Sequence, residues 1–325
     1  MAQITIIGLD TLGISLGLAL RQSGQPVTLV GVDRDGAAAR RAQQLGAVER
    51  TEVWVSNACK NAALVMLNEP FSQLHDMLEA IAESLPEGCV VTSTAPLMAP
   101  VLAWADELLP ERVSFIAGHP ILNPLKPMTE PSAEILKQAQ YCIVPSAKAN
   151  TVAMDLVSSL ASTVGAQPFF LDAAEHDGLV TASEGLSGLM GMLLMSAAAE
   201  ASSWRDMRRL AGPAFAQATQ SAEGDPAGGI ATARANRENL ARWLDVYAAK
   251  LGEARAALLA EDEAQLTQLL TSAHEARDQW LRDSAGANWE GTAEMPKLTM
   301  GQTLSSLIWP HRQPPASQQD KKRKK

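Results

Sequence analysis

The chain has 325 residues, 46% of them hydrophobic and 19% charged, which is length enough for two cores and the composition of a globular protein. A net charge of −9 and a pI near 5.1 argue against nucleic acid as a partner. Three scattered cysteines, Cys59, Cys89 and Cys142, form no CxxC pair and no even-numbered framework, so neither disulfides nor a metal site is expected.

Taken in chain order, the first half alternates. "QITIIGL" is an apolar run of strand length, and "TLGISLGLALRQSG" has helical spacing up to Gly24. "PVTLVGVD" is a second buried strand, followed by the short helix "DGAAARRAQQLG". "AALVMLNEP" is a third strand, closed by Pro70, and "FSQLHDMLEAIAESLPEG" is an amphipathic helix. Strand "CVVTST", helix "APVLAWADELLP" and strands "VSFIAGHP" and "QYCIVP" complete the series. Continuous apolar strands separated by helices predict a Rossmann-type, doubly wound parallel sheet covered on both faces, over residues 1–170.

Strand patterning stops near "GAQPFFLDAAEHDG". "HDGLVTASEGLSGLMGMLLMSAAAEASSW" reads as one helix, apolar nearly all round and rich in small residues, which must be buried on several sides. Residues 171–285 are therefore expected to form an all-α domain that pairs as a homodimer around Gly185 to Ala201. Residues 286–325 are polar and contain prolines, which predicts a disordered tail with "KKRKK" as its solvated end. No basic leader with a cleavage site is evident, and no uninterrupted apolar run has the length of a membrane span. A cytoplasmic protein with no membrane partner is expected.

Two places carry chemistry. "ITIIGLDTLGISLGLAL" nearly spells the glycine fingerprint of a dinucleotide site. Gly8 and Gly13 fill the first and third glycine roles, and Leu9 and Leu12 lie in the turn. Asp10 stands where the second glycine would let the pyrophosphate approach. Asp33, ending the second strand, is placed to accept from ribose hydroxyls and favours NAD; Arg34 beside it leaves NADP open. The helix start is expected to offer free N–H groups to an anion. A carboxylate there repels a phosphate, less so if it caps the helix. The second place is "FIAGHPILNP", which puts His119 at the carboxyl end of a strand, where open α/β sheets bind ligands.

"GLDTLGISLGLAL", "VGVDRD", "LVMLNEP", "GHP", "AEHD" and "WRDMRRLAGP" together resemble the prephenate/arogenate dehydrogenase family. The resemblance implies a Rossmann domain, a helical dimerisation domain, NAD, and oxidative decarboxylation of prephenate or arogenate on the tyrosine pathway. It implies that His119 is the catalytic histidine and that Arg205 and Arg209 hold the carboxylates of a small substrate. His176 and Asp177 match the family's HD element and are read as a helix entry and domain contact. Departures are equally specific. Pro96 stands where a serine would bond the catalytic histidine, with Ser93 and Thr94 nearby. Met98 replaces a lysine, and Glu184 and Ser187 replace histidines entering the helical domain. Two readings therefore stay open: an NAD-dependent dehydrogenase, or a catalytically degenerate dimeric binding or regulatory protein on the same scaffold. A third, the hydroxyisobutyrate type of oxidoreductase, needs a lysine that the helix from Leu179 to Ser203 lacks.

Overall fold

The protein is described by a computed structural model over residues 1–126, 128–224 and 226–286. The expected tail beyond Gly286, with its basic run, lies outside the described residues.

The first domain is an eight-stranded sheet with spatial order β3-β2-β1-β4-β5-β6-β7-β8. Its strands are β1 (Ala2–Ile7), β2 (Val27–Val32), β3 (Arg50–Thr51), β4 (Ala62–Leu67), β5 (Val90–Ser93), β6 (Ser114–Ile121), β7 (Gln140–Pro145) and β8 (Gln167–Phe170). Helices α1 (Thr11–Gln22), α2 (Gly36–Gln44), α3 (Val55–Cys59), α4 (Leu74–Ala82), α5 (Ala99–Leu108) and α6 (Thr151–Thr163) cover the two faces. Alternation along each strand explains the two layers. Ile4, Ile6, Leu29 and Leu64 enter one buried cluster, whereas Ile7, Val30 and Val65 enter the other. All three cysteines are buried thiols, and burial pushes Cys59 and Cys142 up to about 12.

The sheet is doubly wound as expected, but not wholly parallel. β1 to β6 run in one direction, β7 pairs antiparallel with β6, and β8 runs with β7. The cause is the connection between Ile121 and Gln140. Among its described residues no helix carries the chain back across the sheet, so the next strand returns in the opposite sense.

The second domain is helical: α7 (Ala173–Val180), α8 (Leu186–Glu200), α9 (Trp204–Leu210), α10 (Pro213–Ala218), α11 (Pro226–Ala235), α12 (Arg237–Leu259) and α13 (Glu263–Gly286). α7 and α8 are joined by a π-helical turn, Thr181–Gly185, into one rod of 28 residues. By length and composition alone this rod could cross a membrane, a property not expected from the run lengths. Within one chain it is largely uncovered: of α8 only Gly191 and Ala198 are buried, and Leu194 is 43% exposed. The burial on several sides that its composition demands is not supplied by the described residues of this chain.

Candidate functional site

The glycine turn joins β1 to α1. Gly8 has φ +92°, and a Cβ there would lie 2.1 Å from the Asn68 carbonyl oxygen. A Cβ on Gly13 would lie 2.0 Å from the Gly8 carbonyl oxygen. Both glycines are thus required for the turn to close on β4 and for α1 to start. Asp10 is the N-cap. Its Oδ1 accepts from the N–H groups of Leu12 and Gly13, each at 2.9 Å, and from Asn68 Nδ2 at 2.7 Å. The expected free N–H groups are therefore already taken at Leu12 and Gly13. An aspartate at an N-cap satisfies donors that would otherwise be orphaned, so the fold gains from this arrangement.

Asp33 sits at the end of β2, half-buried. Its Oδ2 accepts from Leu9 N–H at 2.6 Å and its Oδ1 from Asp35 N–H at 2.7 Å. Arg34 is exposed beside it. Glu69, next along from Asn68, is pushed up from the usual carboxylate range by burial and by Asp33 and Asp10, with Arg34 pulling the other way. The turn fits a dinucleotide in its two glycines, its helix start and the Asp33 carboxylate. It differs in one respect: the chain's own anion lies on two donors that a pyrophosphate would use.

His119 lies near the carboxyl end of β6, partly exposed. Its Nδ1 is 3.1 Å from His176 Nε2, with the rings edge-on at 77°. His176 Nδ1 is 2.8 Å from Asp177 Oδ1. Asp177 also accepts from Met98 N–H at 2.7 Å and Ala99 N–H at 3.0 Å, which are the first donors of α5. Asp177 thus ties α7 to the sheet domain, the domain contact read from the HD element. The contact of His176 with His119 was not foreseen; the dipeptide was visible, but a separation of 57 residues hid the proximity. Burial, and secondarily repulsion by His176 when that ring is charged, push His119 down to about 3. The His119 imidazole is therefore neutral at neutral pH, a free base.

The substitutions around this pair also resolve. Thr94 Oγ1 donates to Asn68 Oδ1 at 2.8 Å, and Ser93 Oγ is buried with no hydrogen-bond partner, so neither takes the place of a serine on His119. Met98 is wholly buried in the apolar cluster around α4 and α5, where a lysine's charge would be desolvated. A cavity of about 660 Å³ opens beside His176, walled mainly by Leu122, Phe169, Leu179 and Trp280, with Glu184 at its polar edge. A smaller one of about 260 Å³ holds Pro96, Leu97 and Thr181 and shares Val180 and Glu184 with the first. Arg205 and Arg209 are exposed on α9, line neither cavity and make no ion pair among the described residues. The rod separates them from the histidine pair: the 24 residue-to-residue steps from His176 to Glu200 span about 36 Å of helix.

A family model described as the nucleotide-binding domain of prephenate dehydrogenase matches residues 16–169, and one described as the dimerization domain of prephenate dehydrogenase matches residues 172–272. The chain belongs to the prephenate/arogenate dehydrogenase family. Prephenate dehydrogenase of Bacillus subtilis is 24% identical over 279 residues, covering 85% of this chain and 75% of its own. Cyclohexadienyl dehydrogenase of Zymomonas mobilis is 22% identical, covering 84% of this chain and 94% of its own. Among solved structures, prephenate dehydrogenase from A. aeolicus, in complex with hydroxyphenyl propionate and NAD+, has a TM-score of 0.76. It is 20% identical, covering 86% of this chain and 98% of its own. Family membership settles the architecture as a Rossmann domain plus a dimerisation domain. The nucleotide-binding match begins after Gly13, so the turn around Asp10 lies outside it.

Proposed function

We propose that the chain is an NAD-dependent dehydrogenase that oxidises and decarboxylates prephenate or arogenate, acting as a homodimer. The observation that carries this reading is His119, neutral at the carboxyl end of β6 and one hydrogen bond from a buried histidine and carboxylate. The catalytically degenerate alternative rested on Asp10, Pro96 and Met98. It loses ground because His176 contacts His119 and Met98 completes the core.

When bound, a nicotinamide would supply the acceptor for the hydride that leaves the ring carbon bearing the hydroxyl. Gly8, Leu9, Leu12, Gly13, Asp33 and Arg34 would hold the dinucleotide, with the Asp33 carboxylate on the adenosine ribose. His119 Nε2 takes the hydroxyl proton, so that this carbon becomes a carbonyl carbon. Departure of the ring carboxylate as CO₂ leaves its bonding pair to the ring, giving a phenolate that takes the proton back from His119 Nε2 as a phenol, without a further oxidant. A buried neutral imidazole suits a base that must hold a proton only transiently. The apolar cavity beside His176 suits a carbocyclic ring.

Arg205 and Arg209 are proposed to hold substrate carboxylates. Because α9 is at the far end of the rod, that role is best met across a dimer whose α8 helices cross in opposite senses. The exposed face around Leu194 supplies the apolar surface for such a pair. The division of labour near residue 171, sheet domain for cofactor and helical domain for substrate and pairing, belongs to the same proposal.

The test is reduction of NAD by the purified protein with prephenate and, separately, arogenate. His119→Asn should lower kcat by roughly 10³-fold while leaving NAD binding intact. No turnover of either substrate by the natural protein, under conditions where NAD binds, overturns the reading.

A further inference from the structure

One polar chain runs from the start of α5 to His119. Asp177 offers only acceptors, and its two oxygens take Met98 N–H, Ala99 N–H and His176 Nδ1 at 2.7, 3.0 and 2.8 Å. The third of these fixes the tautomer of the neutral ring: Nδ1 of His176 must carry the hydrogen, which makes its Nε2 an acceptor. That nitrogen is 3.1 Å from His119 Nδ1. A hydrogen must lie between them, and it can come only from His119. His119 is then protonated at Nδ1 and bare at Nε2. His176 is completely buried and Asp177 almost so, and His119 has no other hydrogen-bond partner among the described residues. Packing fixes the two buried groups, and they in turn set the third.

We propose that His176 and Asp177 are positioning residues for His119, forming a carboxylate–imidazole–imidazole relay that presents His119 Nε2 as the proton-accepting nitrogen. The proposal rests on reading His119 as the base. It also assigns work to a dipeptide whose other role, tying the domains together, a bare carboxylate could perform without a histidine. When His119 gains a proton, its Nδ1–H still points at a lone pair, so the new cation keeps its hydrogen bond and no group has to turn. The relay also couples chemistry to domain position, because Asp177 is held by backbone donors of the sheet domain while its own helix belongs to the other.

The relay makes a prediction two bonds from the site of mutation. In Asp177→Leu no acceptor holds the hydrogen on His176 Nδ1, so that ring is free to carry it on Nε2 instead, and His119 is released to the opposite tautomer, with Nε2 blocked. The experiment is nitrogen NMR of the full-length protein labelled in histidine, with His119 assigned by its disappearance in His119→Asn. The natural protein should show a protonated Nδ1 and a bare Nε2 at neutral pH. The opposite tautomer would overturn the relay, with no reference to activity. Asp177→Leu should lose the single His119 pattern and lower kcat by roughly 10²-fold or more with KM nearly unchanged. His176→Gln, whose amide oxygen can still accept from His119, should retain more kcat than the ring-sized but non-bonding His176→Phe. Equal kcat in these two variants would also overturn the relay. Absence of turnover in the natural protein would sink the dehydrogenase reading, while the tautomer measurement would still test the relay.

Discussion

Asp10 and Asp177 both cap a helix start, and they leave their sites in opposite conditions. Asp10 lies on the first donors of α1, in the turn where a pyrophosphate would be held, and its carboxylate also accepts from Asn68. Asp177 comes from a different domain to lie on the first donors of α5, and its further acceptor capacity is turned on His176. The local chemistry of the two caps is the same. What differs is what each carboxylate faces besides the helix. At α1 it occupies a place meant for a ligand's charge, and at α5 it sets the tautomer of an imidazole. An N-cap aspartate therefore cannot be judged from its own position; the third partner decides.

The sharpest way to break the comparison is to remove the charge at α1. A carboxylate about 4 Å from a phosphate, at an effective dielectric near 20, costs on the order of 4 kcal/mol. Asp10→Gly should therefore tighten NAD binding, by at most about a thousandfold, as read by calorimetric titration. Asp10→Asn keeps a capping oxygen and loses the charge, so it should fall between the two. Unchanged affinity in both variants would mean that the capped carboxylate is no obstacle, and Asp10 would then be as compatible with its site as Asp177.

A second contrast concerns the fold. Asp10 is exposed, so Asp10→Ala should cost only a cap, about 1 kcal/mol. Asp177→Ala leaves the Met98 N–H and a histidine nitrogen unpaired in a buried place, which should cost about 3 kcal/mol. Urea midpoints of the two variants against the natural protein read the difference directly. Equal losses would show that water reaches Asp177 and that the domain tie is looser than its hydrogen bonds imply.

The sheet was largely legible because buried strands write themselves as apolar runs: "ITII", "TLVGV", "ALVML" and "CIVP" each announce a strand. Direction was not legible. β7 has the same buried composition whether it runs with β6 or against it, and only the helix-free connection decides. The two-residue β3 and the four-residue β8 are too short for a periodic signal. At the site, single residues were legible and their meetings were not. His119 announced itself by its place at a strand end, and Asp10 by breaking the glycine pattern. The approach of His176 to His119 depends on how α7 docks on the sheet domain, which no local pattern encodes. Arg205 and Arg209 illustrate the converse. Their spacing suggests one shared face, yet the rod carries that face away from the histidines of the same chain.

The smallest effect, and the one most specific to the α5 side, is the response of stability to acid. Burial holds His119 down to about 3, whereas in the unfolded chain a histidine titrates near 6.5. Between those values the unfolded state binds the extra proton, so this residue contributes stability that is full above about pH 6.5 and drains away as the pH falls toward 3. The slope from one such group cannot exceed about 1.4 kcal/mol per pH unit. Glu69 works in the opposite sense, since a raised carboxyl gains protons in the folded state first, but it is common to the natural protein and to His119→Asn and cancels between them. Denaturation midpoints measured from pH 7 down to pH 5 should therefore fall faster for the natural protein than for His119→Asn. Parallel curves would mean that His119 accepts a proton in the folded state as readily as in water, with Asp177 drawing the charge through His176. The α5 carboxylate would then act as a sink for charge as well as a lock on the tautomer.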